Sequence, residues 1–304
     1  MQEPTSTVAT LRINGERLAH RLATLGRIGA VPDGGLTRLA FSPEDIHART
    51  LAQRWMVAAG MTTRIDAAGN LIGHYEGRFP QSPALATGSH LDTVPNAGCY
   101  DGTYGVLAGL EVVQTLHHHR LRLDHPIEVM VFADEERTMV GSKALAGLWS
   151  DRVDATLAAR IDRIGGTGAQ LTTAQRAPGS LAAFVELHVE QGPVLESLGG
   201  PVGIVSGIVG QRRYRITLTG QASHAGTTPM TMRQDALVAA AQVILAVQTM
   251  GTDTGGGLTG AQVATVGALE VWPNAFKTPS VRPASSWVCP PTPSPVVPAT
   301  TRKT

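Results

Sequence analysis

ALATGSHLDTV (84–94) and PIEVMVFADEE (126–136) decide the fold. Each is a short apolar run that breaks off abruptly into His, Asp or Glu, and FVELHVEQG (184–192) repeats the design. Between the first two lies VLAGLEVVQTLHHH (106–119), whose apolar spacing predicts an amphipathic helix. Upstream, residues 11–28 and 42–59 carry helical spacing. Ser42 is placed to cap the second helix, Pro43 stands at its first position and Gly60 ends it. TTRIDAAGNLIGHYEG (62–77) reads as extended chain turning at Gly69-Asn70. Strands alternating with helices predict an α/β sheet with helices on both faces. Ligand sites in such sheets lie at the carboxyl ends of strands, so the three polar endings are expected to converge on one pocket.

Composition narrows the function classes. Apolar residues make up 42% of the 304 and charged residues 16%, as in soluble globular proteins. The net charge of +1 gives no basis for nucleic-acid binding or a polybasic membrane surface. The two cysteines, Cys99 and Cys289, form no CxxC pair, so a cysteine zinc site is not expected. No apolar run reaches the length of a membrane span, the N-terminus carries no signal-peptide core, and a cytoplasmic location is the expectation.

Around Val209 the character changes. GQRRYRITLTGQASHAGTTPM (210–230) reads as an amphipathic strand and loop, DALVAAAQVILAVQTM (235–250) as a helix, and QVATVGALEVWPN (262–274) as a further strand. This predicts a catalytic domain over 1–208 and a small second domain over 209–275. FKTPSVRPASSWVCPPTPSPVVPATTRKT (276–304) is rich in Pro, Ser and Thr, has no periodicity, and is expected to form no packed element.

The chemistry concentrates in four segments. In GSHLDTVPNAGCYDG (88–102), His90 and Asp92 are two apart and share one side of an extended chain. A carboxylate beside a histidine is the arrangement that fixes an imidazole for metal binding. Asp101, opening a helix, is placed to bridge two cations. The same residues also read as a strand-end hydrogen bond and an ordinary helix cap. In VFADEERTMVGSKALAG (131–147), Glu135 and Glu136 would repel each other unless a cation or shared proton compensates, though an acid pair also suits a solvated turn. ELHVEQGPVLE (186–196) puts His188 between Glu186 and Glu190 on one strand face, where a core histidine is the plainer alternative. GQASHAGTTPMTMRQDAL (220–237) carries His224 in a loop of small residues bordered by Arg233 and Asp235, and a surface histidine would look the same. His117–His119 end a helix and are given no role. No GxGxxG joins a strand to a helix, which argues against a dinucleotide-binding protein.

Taken in this order, the four segments resemble the family of allantoate amidohydrolases, N-carbamoyl-L-amino-acid hydrolases and β-ureidopropionases, in the M20 aminoacylase–carboxypeptidase clan. The resemblance runs over roughly residues 10–275. It implies a zinc-exopeptidase-like catalytic domain, a mixed α/β sheet with helices on both faces, and a small α+β lid or dimerisation domain. It also implies two divalent ions, zinc or manganese, a small ureido or carbamoyl substrate, and a homodimer. By the resemblance His90, Asp101 and His188 hold one metal, and Asp101 bridges to a second held by Glu136. Glu135 is then the general base, Asp92 orients His90, His224 stabilises the oxyanion across a dimer interface, and Gln191 and Asn274 contact substrate.

Two departures from that pattern stand out. The loop after Glu136 is shorter than in the family. After Pro273-Asn274-Ala275 the family continues with a strand, a substrate-binding Arg and a late metal-ligating His, where this sequence has its Pro-rich tail. The expectation is a truncated or frameshifted chain, both domains incomplete at the C-terminus, with the second metal site short of a ligand and hydrolase activity weak or absent.

Overall fold

The computed structural model describes residues 11–32, 34–150, 152–208, 210–252 and 263–272. The chain divides into two compact units with the break between Pro201 and Val202, ahead of the boundary expected at 208. The first unit holds α1 (Gly15–Leu25), α2 (Pro43–Ala58), β1 (Thr62–Ile65), β2 (Leu71–Tyr75), β3 (Ala84–His90), α3 (Thr103–His118), β4 (Ile127–Phe132), α4 (Val140–Leu145), α5 (Ala155–Arg163), β5 (Leu181–Val185) and α6 (Val194–Ser197).

The local signals act as read. Ser42 accepts the Asp45 N–H at 3.2 Å and caps α2, with Pro43 at its start. The β1–β2 hairpin turns where Asp66 accepts the N–H groups of Ala68 and Asn70, and Gly69 takes φ 86°, a conformation open to glycine without strain.

The five strands form one mixed sheet in the order β1-β2-β4-β3-β5. β1, β2 and β4 pair antiparallel, while β4, β3 and β5 run parallel. Helices cover both faces, and β4 shows why its sequence is apolar throughout. Ile127, Val129 and Val131 pack with Ala48, Ala52 and Met56 of α2 and Val106, Leu107 and Leu110 of α3. Met130, on the opposite side, packs with Ile72 and Ala86 against Leu145 of α4. A strand buried on both sides loses the apolar–polar alternation of a surface strand.

The parallel register pairs His90 with Phe132, so β3 and β4 end at the same level of the sheet. The chain leaving β3 carries Asp92, and the chain leaving β4 carries Glu135 and Glu136. β5 stops sooner. Its last pair with β3 is Thr87–Val185, so Glu186, His188 and Glu190 lie in a loop and not on the strand face expected for them. The alternation of polar and apolar residues outlasts the ladder because the pairing ends first.

The second unit contains α7 (Ala236–Thr252), begun where the Asp235 carboxylate accepts the Leu237 and Val238 N–H groups. The strands expected on either side of it are not formed among the described residues. Residues 210–220 and 263–272 make no ladder, and the unit has one isolated bridge, Gln221–Gln234. A strand exists only through a partner for its N–H and C=O groups, and here these segments face solvent. Asn274, expected at the substrate, and the tail 276–304 lie outside the described residues.

Among the described residues no helix is long and apolar enough to cross a membrane. The core makes a direct stability prediction. Leu110 is fully buried at the α3–sheet contact, so Leu110→Ala should lower unfolding free energy by about 2–5 kcal/mol, read from the urea midpoint.

Candidate metal centre

His90 closes β3 with 3% of its surface exposed, and Asp92 follows with 2%. The His90 Nδ1 donates to the Asp92 backbone carbonyl at 2.9 Å. A carbonyl oxygen can only accept, so in the neutral ring the proton sits on Nδ1 and the Nε2 lone pair is free to bind a cation. The ring is thus held by Asp92's main chain, with the Asp92 carboxylate 3.9 Å away. That carboxylate instead accepts the N–H groups of Glu135 at 3.4 Å and Glu136 at 3.2 Å. It ties the end of β3 to the acid loop leaving β4.

Asp101 does not cap α3. The cap position belongs to Gly102, with no side-chain cap bond, which disposes of the plain capping reading. Gly102 takes φ 59°, and a Cβ there would lie 2.6 Å from the His90 ring. Glycine therefore lets the turn lie flat against the imidazole. The Asp101 Oδ1 is buried without a hydrogen bond. It faces His188 Nε2 at 3.4 Å and His90 Nε2 at 3.9 Å. His188 is locked like His90, its Nδ1 donating to the Val189 carbonyl at 2.6 Å. Each imidazole Nε2 thus lies within 4 Å of one orphaned carboxylate oxygen, though His188 is not among the residues whose ligand atoms all lie within 4.8 Å of one another. A buried polar atom left without a partner is costly, and a cation satisfies all three groups at once.

Glu136 joins them: ligand atoms of His90, Asp101 and Glu136 lie within 4.8 Å of one another. Glu135 stands beside His90, its carboxylate 3.6 Å from Nε2, and is more exposed. The electrostatics are those of an anionic pocket short of positive charge. Burial raises the Asp92 carboxyl to about 6, opposed by His90. Burial also raises Glu136, helped by the charges of Asp101 and Glu135. For His90 burial pushes the other way, but the charges of Asp92 and Glu135 and the Asp92 carbonyl outweigh it, and its pKa lies above the ordinary value.

Of the remaining expected residues, Gln191 reaches this centre by donating from Nε2 to Asp101 Oδ2 at 2.6 Å. Glu186 accepts from Ser89 Oγ, and Glu190 caps α6 through the Val194 and Leu195 N–H groups. His224 belongs to the second unit. Its Nδ1 accepts the Gly226 and Thr227 N–H groups at 3.1 and 3.2 Å, so the neutral ring carries its proton on Nε2, ready to donate. Arg233 staples that loop by donating to the carbonyls of Thr228 and Ala225.

Two residues stand outside the motif reading: Gly102 against the His90 ring, and Arg38, which is fully buried and donates to the Leu91 carbonyl between His90 and Asp92. The Asp-Gly pair opening a helix was the available signal for the first. For the second it was a lone arginine in the otherwise apolar turn LTRLAF (36–41).

Residues 86–280 match the family model described as peptidase family M20/M25/M40. The chain is 46% identical over 276 residues to an N-carbamoyl-L-amino acid amidohydrolase of Geobacillus stearothermophilus, covering 87% of this chain and 66% of that protein. It is 39% identical over 285 residues to a probable allantoate deiminase of Oryza sativa subsp. japonica, covering 84% and 58%. Among solved structures it superimposes on a hydantoinase/carbamoylase-family amidase from Burkholderia multivorans with TM-score 0.69 and 35% identity, over 88% of this chain and 66% of that one. The chain thus spans between 58% and 66% of the length of these relatives.

The geometry predicts two outcomes. Gly102→Ala drives a methyl group into the His90 ring, so bound zinc or manganese per chain should fall sharply by elemental analysis while far-UV circular dichroism is kept. The raised His90 pKa means the metal-free ring keeps its proton to a higher pH than an ordinary histidine does. A cation must displace that proton, so affinity should rise with pH until the ring has lost it. Calorimetry in buffers of different ionisation enthalpy should show proton release at pH 7.

Proposed function

The chain belongs to peptidase family M20/M25/M40, and from that premise we propose that it is a metal-dependent hydrolase of C–N bonds in linear amides and amidines, acting on an N-carbamoyl-L-amino acid. One observation carries the reading: the unpartnered Asp101 Oδ1 between the free Nε2 atoms of His90 and His188. A three-residue set of this kind suits zinc or manganese. In this proposal His90, Asp101 and His188 hold one ion, and Asp101 with Glu136 holds a second. The ions supply Lewis-acid polarisation of the ureido carbonyl and a lowered pKa for the attacking water.

The protein's own groups do the rest. Glu135 is close enough to the cluster to work there and exposed enough to exchange protons. It takes a proton as water adds to the carbonyl carbon and returns it to the nitrogen as the C–N bond breaks. Asp92 keeps Glu135 in place through its backbone N–H. Gln191, already donating to Asp101, and Asn274 are assigned to substrate polar groups. His224 donates from Nε2 to the oxygen that becomes negative, and the proposal has a second copy of the chain supply it. The carbamoyl substrate is preferred to allantoate because the carbamoylase relative shares 46% identity and the allantoate relative 39%.

The experiment is ammonia release by the 304-residue chain with added manganese or zinc, using several N-carbamoyl-L-amino acids and allantoate. Weak metal-dependent turnover of the carbamoyl compounds is expected, with Glu135→Gln retaining metal and losing most of that turnover, since a general base commonly contributes ~10²–10⁴-fold. Faster release from allantoate would reassign the substrate. An active Glu135→Gln would remove the proton-shuttle role.

A further inference from the structure

Arg38 is fully buried, and its hydrogen bonds all lead to the metal centre or to the helix behind it. Its Nε donates to the Leu91 carbonyl at 2.6 Å, between His90 and Asp92. Its Nη2 donates to Thr103 Oγ1 at 3.0 Å, two residues after Asp101. Its Nη1 donates to the carbonyls of Leu25 and Ile28, at 2.8 and 3.0 Å, at the end of α1. The main chain adds a reciprocal pair: the Arg38 N–H donates to Thr93 Oγ1, and the Thr93 N–H donates to the Arg38 carbonyl, both at 2.8 Å. One residue therefore grips the chain on the far side of His90 and on the far side of Asp101.

We propose that Arg38 is the positioning residue of the metal centre, a buried clamp that fixes the 91–93 segment against the 101–103 turn so that His90 and Asp101 hold their ligating separation before any cation arrives. The inference rests on the metal reading above and adds the residue that prepares the site. Arginine suits the task because its planar fork presents donors in fixed directions, whereas a lysine ammonium, with three donors, cannot serve four separated acceptors at once. The location fits as well. A guanidinium beside Asp92 and Asp45 offsets part of the negative charge without occupying a ligand position. Burial draws its pKa down to about 10, so it stays charged at neutral pH. A site placed loosely by even about an ångström loses much of its affinity and rate, and groups standing behind metal ligands commonly contribute about 10–100-fold in affinity.

The test uses the whole chain with Thr103→Val, which deletes one acceptor of the clamp at nearly constant volume, and Arg38→Lys. Zinc and manganese binding are followed by calorimetry, and cobalt-loaded protein by its visible spectrum, which reports ligand geometry. Hydrogen exchange of residues 91–104 is measured on metal-free protein. Both variants should bind metal about 10–100-fold more weakly than wild type, shift the cobalt bands, and exchange faster in that segment without metal. If Arg38→Lys does not fold, Thr103→Val decides alone. Wild-type affinity, spectrum and exchange in Thr103→Val would overturn the clamp. His90→Ala separates the two claims. Wild type and His90→Ala binding metal equally would defeat the metal reading, while the exchange data would still judge whether Arg38 orders the segment.

Discussion

The parallel pairing of β3 with β4 is the constraint on which the centre depends. With His90 opposite Phe132, the chain leaves both strands at one edge, and residues some forty positions apart meet. Shifting a strand by one residue reverses which face each side chain occupies, so a slipped β4 would turn Ile127, Val129 and Val131 away from α2 and α3 and Met130 toward them. The Asp92 carboxylate uses that alignment, taking two N–H groups from the acid loop. Its burial thus couples the histidine end of the site to the carboxylate end, and a displacement of either strand moves both.

What gathers there is unfavourable without a cation. Asp92, Asp101, Glu135 and Glu136 crowd around one imidazole, and the pKa shifts of Asp92, Glu136 and His90 all favour retained protons. Such a cluster is poor evidence for stability and better evidence for binding, because its cost is relieved by retained protons or by a positive ligand. The protein limits that cost with hydrogen bonds to the backbone and with one buried guanidinium, keeping both imidazole Nε2 atoms uncommitted.

Much of this was legible in the sequence. The apolar runs ending in His, Asp and Glu located β3, β4 and their shared edge, and Ser42, Pro43 and Gly69 marked real caps and turns. The motifs lie near one another in space: ligand atoms of His90, Asp101 and Glu136 are within 4.8 Å of one another, and His188 stands beside Asp101. Other features had no local signal. Arg38 sits in a segment with no helical or strand period, and its partners come from residues far along the chain. The pattern ELHVE reads as strand beyond the point where β3 stops offering a partner, since side-chain alternation carries no information about pairing. The same holds for residues 210–220, whose amphipathic pattern describes a strand while their backbone finds no ladder. The main-chain hold on His90 was also hidden, because sequence reveals the Asp92 carboxylate and not the direction of its carbonyl.

The two histidines differ in a way that bears on exchange kinetics. His90 is almost entirely enclosed, with 4% of its side chain exposed, while 44% of the His188 side chain meets solvent. In the proposed function an ion shared by them would be walled off from water on the His90 side and open to it on the His188 side. A chelator competing for such an ion would therefore approach from the His188 side, and the His90 side would stay dry.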